Sequence, residues 1–306
     1  MPMKRKTVIK ILIGIVAFIL IKSFLYYTEV EYSYPVWSKD GKRIYCVKNI
    51  NYYRFAQGGF FFEYRIYKNR SYVMSMNSDG SWKKVLAKFV GQEGSLKYVE
   101  NLAILPDGKE LIFYLLSNEH EESGIYKINI DVRNLVKVAN FLVGGGLSTD
   151  FYLSPDGKNI AYTKCEFRRG GLSGQWYSSW LVGIGGQDNY MICGEESKVE
   201  GWTKDGKIII DAYVDIEGNP KPRFDNKGQY EGDLKSRYLI YDPLSMKLIK
   251  EVPQEFKKIN IMLKKDTTIS PDGKKKIFWE EKNLGVMDMD GENKKILLKD
   301  KVRYLK

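Results

Sequence analysis

The chain has 306 residues, of which 43% are hydrophobic and 14% aromatic, and this composition excludes wholesale disorder. Its abundant Tyr, Phe, Ile and Val favour strands over helices. The formal net charge of +11 comes with no nucleic-acid-binding motif. The three cysteines, Cys46, Cys165 and Cys193, have no CxxC spacing, which argues against a disulfide framework or a zinc site. We expect no metal, no cofactor and no nucleic-acid partner.

The first 27 residues are typical of a membrane anchor. A basic cluster precedes an apolar run from Ile11 to Ile21, and a helix over 7–27 would measure about 30 Å, one bilayer core. We therefore expect a cytoplasmic basic tail at 1–6, a transmembrane signal-anchor helix at 7–27 and a domain at 28–306. The positive charges before the span predict that this domain lies outside the cytoplasm.

A cleaved signal peptide is the alternative, because eleven uninterrupted apolar residues also fit the core of a secretion signal. The stretch "SFLYYTEVEYSYP" that follows is bulky and offers no small-x-small cleavage site. No cysteine follows the apolar run closely, so a lipoprotein anchor is unsupported. The sequence favours an uncleaved anchor.

One phrase recurs five times in the rest of the chain. The copies are WSKDGKRIYC from Trp37, ILPDGKELIF from Ile104, LSPDGKNIAY from Leu153, WTKDGKIIID from Trp202 and ISPDGKKKIF from Ile269. Each predicts a turn followed by a strand, because Pro presets the turn and Gly accepts a positive φ. We assign the repeated pairs to backbone geometry, not chemistry: Asp40 and Gly41, Asp107 and Gly108, Asp156 and Gly157, Asp205 and Gly206, Asp272 and Gly273.

A weaker phrase follows each of the first ones, for example "YVMSMNSDGSWKKVL" from Tyr72, and each reads as strand, polar turn and strand. One unit therefore has four strands, and units of 49 to 67 residues match the blades of a β-propeller. A single blade cannot bury both of its faces, so the blades must pack in a ring.

The phrases "LSPDGKNIAY" and "MDMDGENKKIL" resemble the repeat of TolB-type propellers, which is also found in prolyl-oligopeptidase-like peptidases. The resemblance implies a propeller fold over essentially residues 30–306 and says little about function. TolB has an α/β domain where this chain has the apolar segment, and no sequence remains for a hydrolase domain. TolB-type rings usually have six blades, but only five phrases are present. We predict five blades, closed by the segment Tyr32–Val36 beside the C-terminal strand.

Motifs for catalysis or metal binding are weak. His120 is the only histidine, and an isolated loop histidine has no partners for catalysis. The Gly-rich stretches at 144–149, 170–175 and 183–188 do not match a phosphate loop or a nucleophile elbow. The acidic stretch 288–291 lacks the late Glu of a calcium loop and occupies the turn position of its unit. We expect no catalytic residue.

Three insertions interrupt the repeat between second and third strands, at 51–70, 166–177 and 214–235, and should emerge on the face opposite the DG turns. Aromatic and Arg side chains of the kind that binding hot spots favour occur in the first two. The candidate partner-binding residues are Tyr52, Tyr53, Phe55, Phe60, Phe61, Phe62, Arg168, Arg169, Trp176 and Tyr177. The alternative is that these side chains stiffen the long loops by packing on each other.

The leading functional hypothesis is a membrane-anchored, extracytoplasmic, non-catalytic module that binds or scaffolds a protein or cell-envelope polymer through this face. The alternative is a glycan-active enzyme that uses carboxylates in the central channel. A purely structural or sensory module is the third hypothesis, because propellers host unrelated functions.

Overall fold

The computed structural model describes residues 12–14, 26–58, 61–119, 121–131, 134–140, 151–167, 175–194, 196–215, 219, 235–249, 268–280, 283–299 and 303–304. The strands in the first half are β1 Tyr26–Trp37, β2 Arg43–Gly58, β3 Phe61–Asn77, β4 Lys84–Gln92, β5 Lys97–Ile104, β6 Glu110–Ser117, β7 Gly124–Asn129, β8 Leu135–Asn140, β9 Phe151–Leu153 and β10 Asn159–Phe167. Those in the second half are β11 Gln175–Gly183, β12 Tyr190–Cys193, β13 Ser197–Trp202, β14 Ile208–Val214, β15 Lys235–Asp242, β16 Lys247–Ile249, β17 Lys275–Glu280, β18 Asn283–Asp288, β19 Lys295–Leu298 and β20 Arg303–Tyr304.

The strands form five antiparallel sheets in chain order, which confirms the all-β prediction and the four-stranded unit. Sheets one to four contain β1–β4, β5–β8, β9–β12 and β13–β16, and each strand pairs with the next. The fifth sheet contains β17–β19, and a single bridge between Ile269 and Lys276 marks the position of its first strand.

Each repeated phrase forms the turn between the first two strands of its sheet. In the first sheet, the Ser38 hydroxyl donates to Asp40 Oδ1 at 2.6 Å, and the same carboxylate accepts the Lys42 N–H at 3.1 Å. These two hydrogen bonds, the Ser38 bond foremost, hold the pKa of Asp40 below its ordinary value of 3.8. Gly41 has a φ of +70°, where a side chain would be strained. The repeated Asp and Gly therefore stabilise the backbone conformation of the turn.

Hydrophobic cores lie between successive sheets, because residues that alternate along a strand point to opposite faces. In the first sheet, Tyr45, Val47 and Val73 pack against the second sheet. Ile44 and Met76, on the other face, pack against the fifth sheet. Two further cores join the second sheet to the third and the third to the fourth. The first and last sheets of the chain are thus neighbours, as in a ring.

Tryptophans in two copies of the phrase connect neighbouring sheets by hydrogen bonds. The Trp37 indole N–H donates to the Thr268 carbonyl of the fifth sheet at 3.0 Å. The Trp202 indole donates to the Tyr152 carbonyl of the third sheet at 2.8 Å. Both tryptophans stand three residues before the repeated Asp, and both acceptors stand four residues before the Asp of the preceding sheet. The phrase therefore joins sheets as well as forming turns.

The repeated turns also contact each other directly. A Cβ added at Gly157 would lie 2.5 Å from Cγ and Cδ of Pro106, which precedes the repeated Asp of the second sheet. The same relation holds at two other boundaries, where the neighbours are Gly108 with Lys39 and Gly41 with Pro271. Glycine is required at position 157 because its neighbouring turn leaves no room for a side chain.

The C-terminal strand joins the first sheet. β20 pairs with β1, with Tyr304 opposite Tyr27 and Arg303 opposite Thr28. The expected closure at Tyr32–Val36 is therefore corrected, because the described pairing with β20 lies at Tyr27 and Thr28, near the N-terminal end of β1. β1 also begins earlier than expected, so Tyr26 and Tyr27 lie in a strand and not at the end of a helix.

Within the ranges given above, no helix is both long and apolar enough to span a bilayer. Of the segment 7–27 the structure describes residues 12–14 and 26–27, so most of it, including the rest of the apolar run, lies outside the described residues.

Candidate functional site

The insertion at 51–70 forms an extended hairpin on the first sheet. β2 and β3 have 16 and 17 residues, and their pairing continues from Arg43 opposite Asn77 to Gly58 opposite Phe61. The corresponding strands of the second sheet, β6 and β7, have 8 and 6 residues. Aromatic and β-branched side chains favour strands, so the insertion continues the sheet beyond its neighbours.

Four aromatic side chains form a cluster on one face of this hairpin: Tyr27, Tyr53, Phe55 and Tyr64. The rings of Tyr27 and Tyr53 are stacked, with centroids 4.3 Å apart and planes 4° from parallel. Tyr64 lies against Tyr27 and Phe55, with centroid distances of 5.0 and 5.2 Å. Phe55 and Tyr64 remain 40% and 42% exposed. We call this group the aromatic cluster.

Polar contacts hold the aromatic cluster and the base of the hairpin in place. The Tyr53 hydroxyl donates to Glu29 Oε2 at 3.0 Å. Burial, followed by this bond to a carboxylate, raises the pKa of Tyr53, so the phenol stays protonated. Nearer the centre of the sheet, the fully buried Asn69 side chain donates to the Lys97 carbonyl at 2.6 Å and accepts the Lys97 N–H at 3.0 Å. The base of the hairpin that carries the aromatic cluster is therefore hydrogen-bonded to the second sheet.

The sequence-predicted binding residues divide between different parts of the structure. Tyr53 and Phe55 lie in the aromatic cluster, whereas Tyr52 points to the opposite face of the hairpin, because neighbouring strand residues alternate. Tyr177 is half-buried in β11, where the Lys198 ammonium lies 4.3 Å from its ring centroid. Phe60, Arg168 and Arg169 lie outside the described residues, as do the side chains of Phe61, Phe62 and Trp176.

Tyr27 and Tyr64 were missed as candidate binding residues. Tyr27 was assigned to the membrane helix, and Tyr64 lies in the insertion but was not selected. The alternation of side chains along the strands could have found them. Tyr64 pairs with Phe55 and Tyr27 pairs with Tyr53, so all four side chains lie on the same face of the sheet.

A cavity of about 520 Å³ runs along β1 from Glu29 to Pro35. Its lining includes Glu29, Glu31, Tyr34 and Trp279. Glu29 accepts the Tyr53 hydrogen bond and Glu31 is exposed, so these two do not form the buried carboxyl pair that glycan chemistry would need. Burial, with smaller contributions from the Glu100 and Glu31 carboxylates, raises the pKa of nearby Tyr98 to about 12.

The potential metal ligands are dispersed. In the described part of the chain, no group of three or more His, Cys, Asp or Glu side chains is placed to hold a metal ion. Asp290 accepts the Glu292 N–H at 3.0 Å, as Asp79 accepts the Ser81 N–H at 2.9 Å in the first sheet. The acidic stretch 288–291 is thus the turn between β18 and β19. Cys46 is a buried free thiol, and burial raises its pKa to about 12.

No protein-family model and no curated protein matches the chain. Similar solved structures include TolB from Acinetobacter baumannii, at 16% identity over 88% of this chain and 62% of TolB, with a TM-score of 0.39. An oligogalacturonate lyase in complex with manganese is 10% identical over 88% of this chain and 78% of the lyase (TM-score 0.39). The β-propeller domain of the Trilobed protease from Pyrococcus furiosus is 10% identical over 89% and 86% (TM-score 0.39).

These similarities concern the fold alone, because the identities are 16% or less and the TM-scores are 0.39. The chain spans less than two thirds of the length of TolB. The expectation that the chain is not an enzyme is corrected by the same comparison. Structures with this fold include peptidases and a lyase, so the fold gives no reason to class the chain as non-catalytic. Neither activity transfers to this chain at such distances.

Proposed function

We propose that this protein is a membrane-anchored, extracytoplasmic propeller of five TolB-type blades that binds a protein or cell-envelope component through the face that carries the insertions. The five repeated turns and five sheets support the blade number. The N-terminal apolar run, with its preceding basic cluster, supports the anchor and its orientation. The chain positions a binding surface at a short distance from the membrane.

The aromatic cluster is the observation that carries the binding proposal. Phe55 and Tyr64 are about two-fifths exposed, although ring stacking and the Tyr53 bond to Glu29 hold the group in one arrangement. Rigid aromatic side chains lose little conformational entropy on binding and dominate the energetics of many interfaces. A pre-organised, exposed aromatic group on a projecting hairpin is suited to filling a pocket or covering an apolar patch on a partner.

Replacing Phe55 and Tyr64 with alanine is expected to weaken partner binding by about 30-fold or more, since the loss of a single hot-spot side chain already costs about 2 kcal/mol or more. Partners would be captured with the full-length chain from detergent-solubilised envelope, identified by crosslinking, and their dissociation constants then measured. The matched control is Leu244→Ala with Met246→Ala, because these side chains are 97% and 65% exposed at the β15–β16 turn, on the opposite face. Equal capture by a folded aromatic-cluster variant contradicts the proposal.

The anchor is tested by two charges in the apolar run. Val16→Asp with Ile19→Asp is expected to release the chain from carbonate-washed membranes, because each Asp at a helix centre opposes insertion by about 2.5–3.5 kcal/mol. The conservative change Val16→Leu should leave the chain in the membrane pellet. In cells with an intact membrane, protease added outside should degrade the domain and spare an N-terminal tag. Recovery of the unaltered chain in the carbonate supernatant would show that it has no anchor.

A further inference from the structure

The first sheet is longer than the sheet packed against it, so the described residues of the fifth sheet cover only part of one face. β17 and β18 have six residues each, compared with 16 and 17 in β2 and β3. The fifth sheet therefore covers the half of the face that carries Ile44 and Met76. The other half borders a groove of about 680 Å³, bounded on its far side by residues 296–299 of β19 and its end.

Three rows on this half of the face carry cations and tyrosines and no carboxylate. Three rows of side chains share the face, as shown by the pairing of β1 with β2, β3 and β4 in turn. The rows are Tyr32, Lys48, Tyr72 and Lys88; Val30, Ile50, Arg70 and Val90; and Thr28, Tyr52, Lys68 and Gln92. Lys83 and Lys299 line the groove as well. The next row outward holds Arg54, which is already paired with the Glu93 carboxylate at 2.6 Å. We call the three rows the cationic face.

The charges on the cationic face are held in place by the aromatic rings. The Lys48 ammonium lies 5.8 Å from the ring centroid of Tyr32 and 6.0 Å from that of Tyr72. Lys68 and Arg70 both lie over the Tyr52 ring, at 5.9 and 5.5 Å. Lys68 and Arg70 are two residues apart on one strand, a spacing of about 6.6–6.8 Å. Such a row matches a ligand with anionic groups repeated at a similar interval.

Two polar atoms at the cationic face indicate that a ligand completes it. Thr28 is only 9% exposed and lines the groove, yet its hydroxyl has no hydrogen-bond partner among the described residues. The buried Nε of Arg70 likewise has no hydrogen-bond partner among the described residues. Unsatisfied buried polar groups are destabilising, so a hydroxyl- and anion-bearing ligand that reaches them would gain binding energy.

We propose that the cationic face binds a linear anionic carbohydrate polymer. Its carboxylates or phosphates pair with Lys68 and Arg70 and with the groove-lining Lys83 and Lys299, and its hydroxyls reach Thr28. This extends the proposed function by naming one class of envelope component. Single-stranded nucleic acid fits less well, because base stacking needs open ring faces. Here Lys48 lies over Tyr32 and Tyr72, and Lys68 and Arg70 lie over Tyr52.

Calorimetric titration of the full chain in neutral detergent tests this directly. The anionic probes are alginate, which carries carboxylates, and polyglycerol phosphate, which carries phosphates. Uncharged dextran, oligothymidylate and anionic lipid vesicles are the comparison ligands. We expect at least one anionic polymer to bind, with an affinity that falls as salt rises, and the preferred polymer identifies the anion. The proposal is overturned if neither anionic polymer binds, if dextran binds equally well, or if oligothymidylate or anionic lipid vesicles bind more tightly than both polymers.

Lys68→Gln with Arg70→Gln is expected to weaken polymer binding about tenfold or more through lost charge-assisted hydrogen bonds. The control, Lys158→Gln with Lys274→Gln, removes the same charge from exposed lysines of the repeated turns and should change affinity about twofold at most. Thr28→Val keeps the side-chain shape and should weaken binding about threefold without lowering the melting temperature. Wild-type affinity in both Lys68/Arg70 and Thr28 variants would refute the assignment.

The two binding proposals fail in different experiments. The aromatic cluster lies on the opposite face of the hairpin from Lys68 and Arg70. Phe55→Ala with Tyr64→Ala should therefore leave polymer affinity unchanged. Loss of polymer binding in that variant would show that the polymer occupies the aromatic cluster and not the cationic face.

Discussion

Trp202→Ala is expected to destabilise the domain by about 3–5 kcal/mol, the usual cost of removing a buried Trp side chain. Trp202 is buried in the core between the third and fourth sheets, beside Val199, Ile208 and Tyr241. Its indole N–H also donates to the Tyr152 carbonyl at 2.8 Å. The alanine variant loses the packing and leaves the partly buried Tyr152 carbonyl without this donor.

Trp202→Phe separates these two losses. The smaller phenyl ring keeps most of the apolar contact. The expected loss of stability is therefore that of the hydrogen bond, about 0.5–1.5 kcal/mol, plus a contribution from the smaller packed volume. Urea unfolding followed by far-UV circular dichroism measures both variants without relying on tryptophan fluorescence. The control is Trp82→Ala, because Trp82 is 86% exposed and its removal should change stability by about 0.5 kcal/mol at most. Equal stability of the Trp82 and Trp202 variants would show that the indole does not join the sheets.

Gly157→Ala is expected to destabilise the domain by about 2–5 kcal/mol, because a left-handed backbone and a steric clash act together. Gly157 has a φ of +71°, and a Cβ there would lie 2.5 Å from two atoms of the Pro106 ring. Pro106 belongs to the corresponding turn of the second sheet, and a rigid ring in a turn cannot move away as a flexible side chain would. The substitution therefore pushes two turns apart.

Gly273→Ala is the matched control for this prediction. Gly273 has the same φ of +71° in its own copy of the turn, but a Cβ there would meet no atom of the described residues within 4 Å. The Gly273→Ala variant should lose only the stability that backbone strain costs, about 1–2 kcal/mol. The excess cost at Gly157 measures the contact, and adding Pro106→Ala to Gly157→Ala should recover part of it, as coupled neighbours do. Identical costs at the two glycines would mean that the turns do not constrain each other.

The repeated turn could be predicted from sequence because its determinants are local. Ser38, Asp40 and Gly41 lie within four residues, and their hydrogen bonds and positive φ recur wherever the phrase recurs. The order of strands within a sheet follows from the same locality, since each strand pairs with the next in the chain and most of the connections are short. The hairpin at Gly58 also follows from its glycines and the alternating aromatic residues beside them.

The faces of the hairpin could not be assigned from the sequence alone. Tyr52 and Tyr53 are adjacent, yet one contributes to the cationic face and the other to the aromatic cluster. Which face points towards which neighbour depends on the register of β1, β2 and β3, and a change of one residue would exchange them. The pairing has a bulge between Tyr52 and Tyr53, where it skips Tyr67, and no local sequence signature marks it.

The sequence by itself determined the all-β class, the four-stranded unit and the positions of its turns, because these depend on side chains within a few residues of each other. Only the tertiary structure decided where β20 joins β1 and which atoms connect the fifth sheet to the first, because these contacts connect residues more than 200 positions apart. It also decided that the first sheet extends past the described strands of the fifth sheet, which leave the cationic face uncovered. That surface results from unequal strand lengths in two packed sheets, a relation that no single stretch of sequence contains.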